Sequence, residues 1–112
     1  MGTGLADTVN IKEIILELLE NERQRKILYE LYENEGSVSF KQLKETCKIK
    51  SSTTLVRELK FFDSIGVTVN IFERTKEGSY SHYELTHFGK RIAQIIMELE
   101  EIVEEKIKEI PA

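Results

Sequence analysis

Hydrophobic residues recur at every third or fourth position in the first third of the chain, a spacing typical of amphipathic helices. This period predicts a helix over residues 9–20 with Thr8 as its N-cap, and a second helix over residues 22–34 capped by Asn21. Gln24 stands three residues after Asn21, at the position of the return partner in a capping box. The chain is therefore expected to begin with two consecutive helices.

The middle of the chain predicts two further helices joined by a short turn. Ser39 is expected to cap a helix over residues 40–47, and the sequence KIKSS at 48–52 forms the turn. The next helix spans about residues 52–65 and is ended by Gly66. The inward side of this helix is expected to carry Leu55, Leu59 and Phe62.

After Gly66 the pattern changes from the period of a helix to the alternation of a half-buried strand. Residues 67–73 and 80–86 predict the two strands of a hairpin, and the polar segment 74–79 predicts its tip. A short extended link at residues 37–38 predicts one further small strand.

Residues 86–110 predict a long C-terminal helix, with Thr86 as its N-cap and Pro111 as its stop. A helix of ~23 residues extends ~35 Å, which is longer than one small domain covers, so its apolar stripe needs a partner. We expect a homodimer contact along this stripe, with part of the first helix contributing. The residues predicted for the contact are Ile11, Ile15, Leu18, Ile92, Ile95, Ile96, Leu99, Ile102 and Val103.

This order of elements predicts a mainly α fold with a small β-hairpin, the winged helix-turn-helix. The chain of 112 residues is expected to be one domain. The winged-helix part of this domain is expected to span residues 22–85, with an N-terminal helix at 9–20 before it and a dimerisation helix at 86–110 after it. No apolar run approaches the ~20 residues that a membrane span needs, and the N-terminus does not resemble a secretory signal. No contact with a membrane is expected.

Charge is distributed unevenly along the chain. The net charge is −4, but residues 36–91 carry ten Lys and Arg against six Asp and Glu. The segments before and after this region are acidic, so the basic excess coincides with the predicted third and fourth helices and the hairpin. The single cysteine, Cys47, excludes an internal disulfide and favours a reducing cytoplasm, where the protein would associate with the nucleoid.

Two segments resemble the HxlR/MarR/PadR superfamily of winged-helix regulators, which is common in bacteria and archaea. YELTHFGKRI (83–92) is similar to the signature at the end of the wing, and TTLVRELKFFDSIGV (53–67) is similar to the recognition helix and first wing strand. The resemblance covers about residues 22–100. It implies a sequence-specific, DNA-binding transcription regulator that acts as a homodimer on double-stranded DNA.

The candidate DNA contacts fall into three groups. The recognition helix would read base edges, the lysines before it would hold phosphates, and the wing tip would reach the minor groove. The residues predicted for the helix are Ser51, Ser52, Thr53, Val56, Arg57 and Lys60. Those predicted for phosphates are Lys41, Lys44, Lys48 and Lys50, and those for the wing are Arg74 and Lys76.

Other chemistry has little support in the sequence. His82 and His87 lack partners at metal-ligand spacing, and no nucleophile–base constellation or phosphate-binding glycine loop is present, so no metal, cofactor or catalysis is expected. An effector ligand and the sign of regulation stay open. Two alternatives stay open as well. One is a protein-interaction module, which exposure of Phe61, Phe72 and Tyr80 would support. The other is a non-specific chromatin protein, which the low pI of about 5.3 disfavours.

Overall fold

The computed structural model describes residues 3–109 and has the winged helix-turn-helix fold. The helices are α1 (Thr3–Glu20), α2 (Glu22–Glu33), α3 (Phe40–Thr46), α4 (Ser52–Ser64) and α5 (His87–Glu109). The strands are β1 (Val38–Ser39), β2 (Thr68–Thr75) and β3 (Gly78–Leu85). The predicted fold class is thereby confirmed.

Side chains at the helix starts fix several of these boundaries. Oδ1 of Asn21 accepts from the backbone N–H of Gln24 at 3.0 Å, and Ser39 caps α3 in the same way. Oγ of Ser51 accepts from the N–H of Thr54 at 3.2 Å. Because each cap satisfies a backbone donor that the helix itself leaves unpaired, the predicted starts of α2, α3 and α4 are confirmed.

Two details of the N-terminal region differ from the prediction. α1 begins at Thr3, so Thr8 lies inside the helix and is not its N-cap. The side chain of Gln24 does not return to Asn21, because its amide donates to carboxylates on two other helices. The predicted stop at Pro111 and the last residue of the predicted helix, 110, lie outside the described residues.

The sheet is antiparallel with the order β1-β3-β2, and its long hairpin forms the wing. β2 and β3 pair from Thr68 opposite Leu85 to Thr75 opposite Gly78, so only residues 76–77 form the turn. The predicted tip at 74–79 is therefore too long. The prediction that β2 is half-buried is also wrong, because only Thr68 reaches the core and the rest of the strand projects beyond it.

One hydrophobic core joins all the helices to the base of the sheet. Its most completely buried large side chains are Leu18, Ile27, Leu28, Leu43, Leu55, Leu59, Phe62, Ile92 and Ile96. Burying a large aliphatic or aromatic side chain contributes roughly 1.5–3 kcal/mol, so this cluster holds α4 against the rest of the fold.

A polar cluster fixes the entry of α2 between α1 and α5. The guanidinium of Arg25 donates to the carbonyls of Leu18 and Leu19 at 2.7 and 2.5 Å, and lies 3.1 Å from Glu100 on α5. The hydroxyl of Tyr29 also donates to Glu100. Burial and this bond raise the pKa of Tyr29, which therefore stays a neutral donor.

Candidate nucleic-acid interface

α4 has one buried and one exposed face. Leu55, Leu59 and Phe62 are buried in the core, as predicted. The opposite face consists of Ser52, Thr53, Val56, Arg57 and Lys60, all of them exposed. A protruding helix face with one arginine, one lysine and small hydroxyl or methyl groups can approach base edges in a major groove.

The turn before α4 presents lysines around the start of that helix. Lys41, Lys48 and Lys50 are exposed and Lys44 is half-buried. Lys48 adopts a left-handed conformation with φ 56°, and the turn is held by the N–H of Ile49, which donates to the carbonyl of Lys44 at 3.0 Å. Cations therefore stand beside the positive end of the α4 dipole, an arrangement that suits a phosphate.

The hairpin extends this surface away from the core. Residues 71–80 are all exposed, including Arg74 and Lys76. Arg74 lies within β2 opposite Ser79, and not in a loose tip, whereas Lys76 is in the turn. A paired strand thus holds the position of Arg74 more firmly than the predicted loop would.

Ion pairing differs between the basic residues of segment 36–91 and those elsewhere. Among the residues that the structure describes, none of the ten Lys and Arg in 36–91 pairs with a carboxylate. Outside that region, four of the six are paired: Arg23, Arg25, Lys26 and Lys106. The basic excess is therefore available to an external anion.

The residues predicted for a dimer contact divide into three groups. Ile95, Ile102 and Val103 are 38%, 52% and 54% exposed. Three more are half-buried: Ile11, Ile15 and Leu99. The remaining three, Leu18, Ile92 and Ile96, are buried in the protomer's own core, which corrects their assignment to a contact between copies.

Two further apolar side chains, outside the predicted set, are also exposed. Leu16 is 53% exposed and Ile107 is 62% exposed. Ile107 continues the apolar stripe of α5, so the period of that stripe already indicated that Ile107 lies on the same side of the helix. Leu16 lies two residues from each of the core positions Ile14 and Leu18, about 200° around α1, so the helical period directs it outward as well.

Cys47 is a packed thiol. It is 7% exposed, and burial, with a smaller contribution from Glu30, raises its pKa to about 11. Of the histidines, His82 lies 3.9 Å from Glu73. Within residues 3–109 no group of three or more His, Cys, Asp or Glu is arranged to hold a metal ion, and no helix is long and apolar enough to cross a membrane.

The family model described as HxlR-like helix-turn-helix matches residues 18–111, which is most of the chain. The chain belongs to the HxlR-like helix-turn-helix family. This assigns it to a family of transcriptional regulators and confirms the resemblance seen in the two sequence segments. No curated protein matches the chain significantly.

Solved structures share the fold of this HxlR-like chain. Diamide-treated YodB from B. subtilis has a TM-score of 0.71 at 20% identity, covering 83% of this chain and 89% of that one. The oxidized redox regulator HypR has a TM-score of 0.68 at 18% identity, covering 83% and 93%. A PadR family regulator from Eggerthella lenta has a TM-score of 0.65 at 15% identity, covering 93% and 94%. At these identities the likeness concerns the fold alone.

The HxlR-like chain also contains a polar link that the sequence analysis missed. Gln24 and Glu58 are 4% and 8% exposed, and the amide of Gln24 donates to the carboxylate of Glu58 at 3.4 Å. The available signal was the position of Glu58, because it falls on the inward side of α4 beside Leu59. A charged residue on an apolar stripe indicates a buried partner.

Proposed function

We propose that this chain is a sequence-specific regulator that binds double-stranded DNA as a homodimer, with α4 in the major groove and the β2–β3 hairpin beside it. The observation that carries the proposal is the exposed face of α4, surrounded by cations that pair with no described carboxylate. Membership of the HxlR-like family supports the same function.

Base reading is assigned to the exposed face of α4. Arg57 lies near the middle of the helix, between the buried positions Leu55 and Leu59, so it projects away from the core. A guanidinium in the major groove can donate to O6 and N7 of guanine together, which no other base pair accepts equally well. Thr53 and Val56 offer methyl groups to thymine.

Phosphate binding is assigned to the surroundings of α4. The side chains of Lys41, Lys48 and Lys50 reach solvent next to the helix start, and the hairpin carries Arg74 and Lys76. Such contacts release counterions and therefore make affinity dependent on salt, but they carry little sequence information.

A second copy of the chain is proposed to cover the apolar surface of α5. The exposed residues of this surface are Ile95, Ile102, Val103 and Ile107. Residues 101–109 of α5 are exposed on all sides, so this end of the helix has no covering element within the described chain. A two-fold dimer would present two copies of α4 to one side of a duplex, and its site would be an inverted repeat with half-sites ~34 Å apart.

A thiol switch is not part of this proposal. The solved structures that share this fold include diamide-treated YodB and the redox regulator HypR. In this chain the only thiol is buried and its pKa is raised to about 11, so the reactive thiolate is scarce near neutral pH.

The test is a selection from random duplexes with the purified protein, followed by affinity measurements on the enriched sequence. We expect an inverted repeat. Arg57→Ala should lose roughly 1–3 kcal/mol, about 5- to 150-fold, for each half-site and relax the preference at one position of each half-site. The matched control is Lys12→Ala, which removes the same charge from an exposed position on α1. This variant should keep the sequence preference.

The outcomes separate the candidate functions. Binding of all duplexes alike, without an enriched sequence, would favour a non-specific chromatin protein. No binding even at low salt would favour a protein-interaction module. The exposure of Phe72 at 60% and Tyr80 at 42% gives the interaction module a specific observation of its own, although Phe61 is half-buried.

A further inference from the structure

A buried carboxylate lies on the inner side of the proposed reading helix. Among the described residues, Glu58 is the one charged side chain in the core, and Gln24 on α2 lies against it. Removing a carboxylate from water is costly unless it receives hydrogen bonds, so its partners fix where it can lie. Arg23 is 3.8 Å away, but its side chain is 55% exposed and adds little.

The amide of Gln24 joins three helices. Its Nε2 donates to Glu17 on α1 at 2.9 Å and to Glu58 on α4 at 3.4 Å. Both amide protons are therefore directed to carboxylates on different elements, which sets the rotamer and the orientation of the amide. Within the described part of the chain, no other side chain bonds to both α1 and α4.

We infer that Gln24 is a positioning residue that sets the orientation of α4 relative to α1. The inference rests on the proposed function, since α4 is the proposed reading helix and α1 adjoins the proposed dimer contact. An apolar contact between helices tolerates sliding, whereas two directional bonds from one amide nitrogen to two helices do not. Gln24 thus couples the position of α4 to α1, which adjoins the proposed dimer contact. In a dimer, this coupling would help to set the distance between the two copies of α4.

This role predicts an effect on specificity that exceeds the effect on general affinity. Bidentate contacts to base edges require close placement of the helix, because hydrogen bonds weaken steeply with angle and distance. Contacts from long lysine side chains to phosphates tolerate a small shift of α4. The measurable quantity is the ratio of affinity for the selected duplex to affinity for a random duplex at one salt concentration.

The first variant is Gln24→Met, which keeps the size and the helix propensity and leaves the net charge unchanged. We expect the affinity ratio to fall at least about tenfold, the equivalent of one base contact, with the salt dependence unchanged. The matched control is Gln94→Met. It removes the bond from another glutamine amide to the hydroxyl of Tyr32, 3.0 Å long, on a helix away from α4, and should keep the ratio within about twofold.

A second variant separates positioning from simple stability. Gln24→Met combined with Glu58→Met replaces both polar partners by apolar side chains, and such replacements can be nearly neutral for folding. We expect the melting temperature to return close to that of the wild type while the affinity ratio stays low.

Recovery of the ratio together with the melting temperature would overturn the inference and leave a purely structural role. An unchanged ratio in Gln24→Met would also overturn it. A wild-type chain that binds both duplexes equally would overturn the proposed function and this inference together. The wild-type chain is therefore measured before any variant.

Discussion

Gly89 has a steric role that explains the glycine in the segment YELTHFGKRI. It lies in the first turn of α5, where the helix passes the start of β2, and a Cβ added there would be 2.0 Å from the carbonyl oxygen of Val67. That oxygen cannot move away without cost, because it accepts from the backbone N–H of Thr86 at 3.0 Å. The glycine allows α5 to lie against the base of the hairpin.

Gly89→Ala should therefore destabilise the fold, although alanine favours helices. We expect a loss of roughly 1–3 kcal/mol or more, because the Val67 backbone or α5 must shift. The free energy of unfolding in urea measures the change. Lys90→Ala, one residue later and exposed, should stay within about 0.5 kcal/mol of the wild type. Equal stabilities of the two variants would contradict the steric argument.

The thiol of Cys47 should be unreactive in the folded protein. Burial raises its pKa from 9.0 to about 11, so the folded state favours the protonated thiol. This contribution to stability is complete below pH 9.0 and is lost as the pH rises through about 11. We expect slow modification by a thiol-specific reagent at pH 8 and rapid modification in urea. Equally fast modification in both conditions would show that the site opens readily.

At the level of elements, the hairpin acts as an arm attached to the core at its base. Tyr83 and Leu85 of β3 and Thr68 of β2 are buried, whereas the strands beyond them are exposed or half-buried. The paired strands thus place Lys76 at the end of the hairpin farthest from the core. At that position it could contact a phosphate that lies beyond the reach of α4.

Lys76→Ala should weaken binding to all duplexes similarly. In a dimer it removes two phosphate contacts, so the slope of log affinity against log salt should fall by about 2. Lys44→Ala on α3 should behave in the same way. Lys108→Ala, the matched control near the end of α5, should leave the slope unchanged. A Lys76 variant with the wild-type slope and altered sequence preference would assign this residue to base reading.

At the level of the whole molecule, charge and apolar surface are separated. Of the twelve Lys and Arg that pair with no described carboxylate, ten lie in residues 36–91, while α5 ends in an apolar stripe among glutamates. An acidic helix is repelled by a duplex, so the stripe is available to a second copy and the basic region to DNA.

Ile102→Glu should convert the proposed dimer into a folded monomer. The residue is 52% exposed in the single chain, so the protomer core stays intact, but a dimer would have to bury an unpaired carboxylate. Light scattering at tens of micromolar gives the mass, and circular dichroism gives the fold. Glu101→Gln, on the opposite side of α5, should remain dimeric. A monomeric wild type under the same conditions would refute the proposed dimer.

Local sequence determined most of the elements. Caps and periods depend on neighbours within about one helical turn, so Asn21, Ser39, Ser51 and the change of period after Gly66 gave the helix starts and the hairpin. The same period predicted the exposed face of α4, because the buried positions Leu55 and Leu59 define the opposite side of the helix. The resemblance of residues 53–67 and 83–92 to a family gave the class of protein.

Only the tertiary structure decided which apolar and polar residues meet. Leu18, Ile92 and Ile96 carry the same periodic signal as Ile102, yet three are core and one is exposed. Along α5 the difference arises because the helix extends beyond the elements packed against it. Periodicity contains no information on where those covering elements end. The same holds for Gln24 and Glu58, which lie 34 positions apart in the sequence and meet only because α2 and α4 pack together.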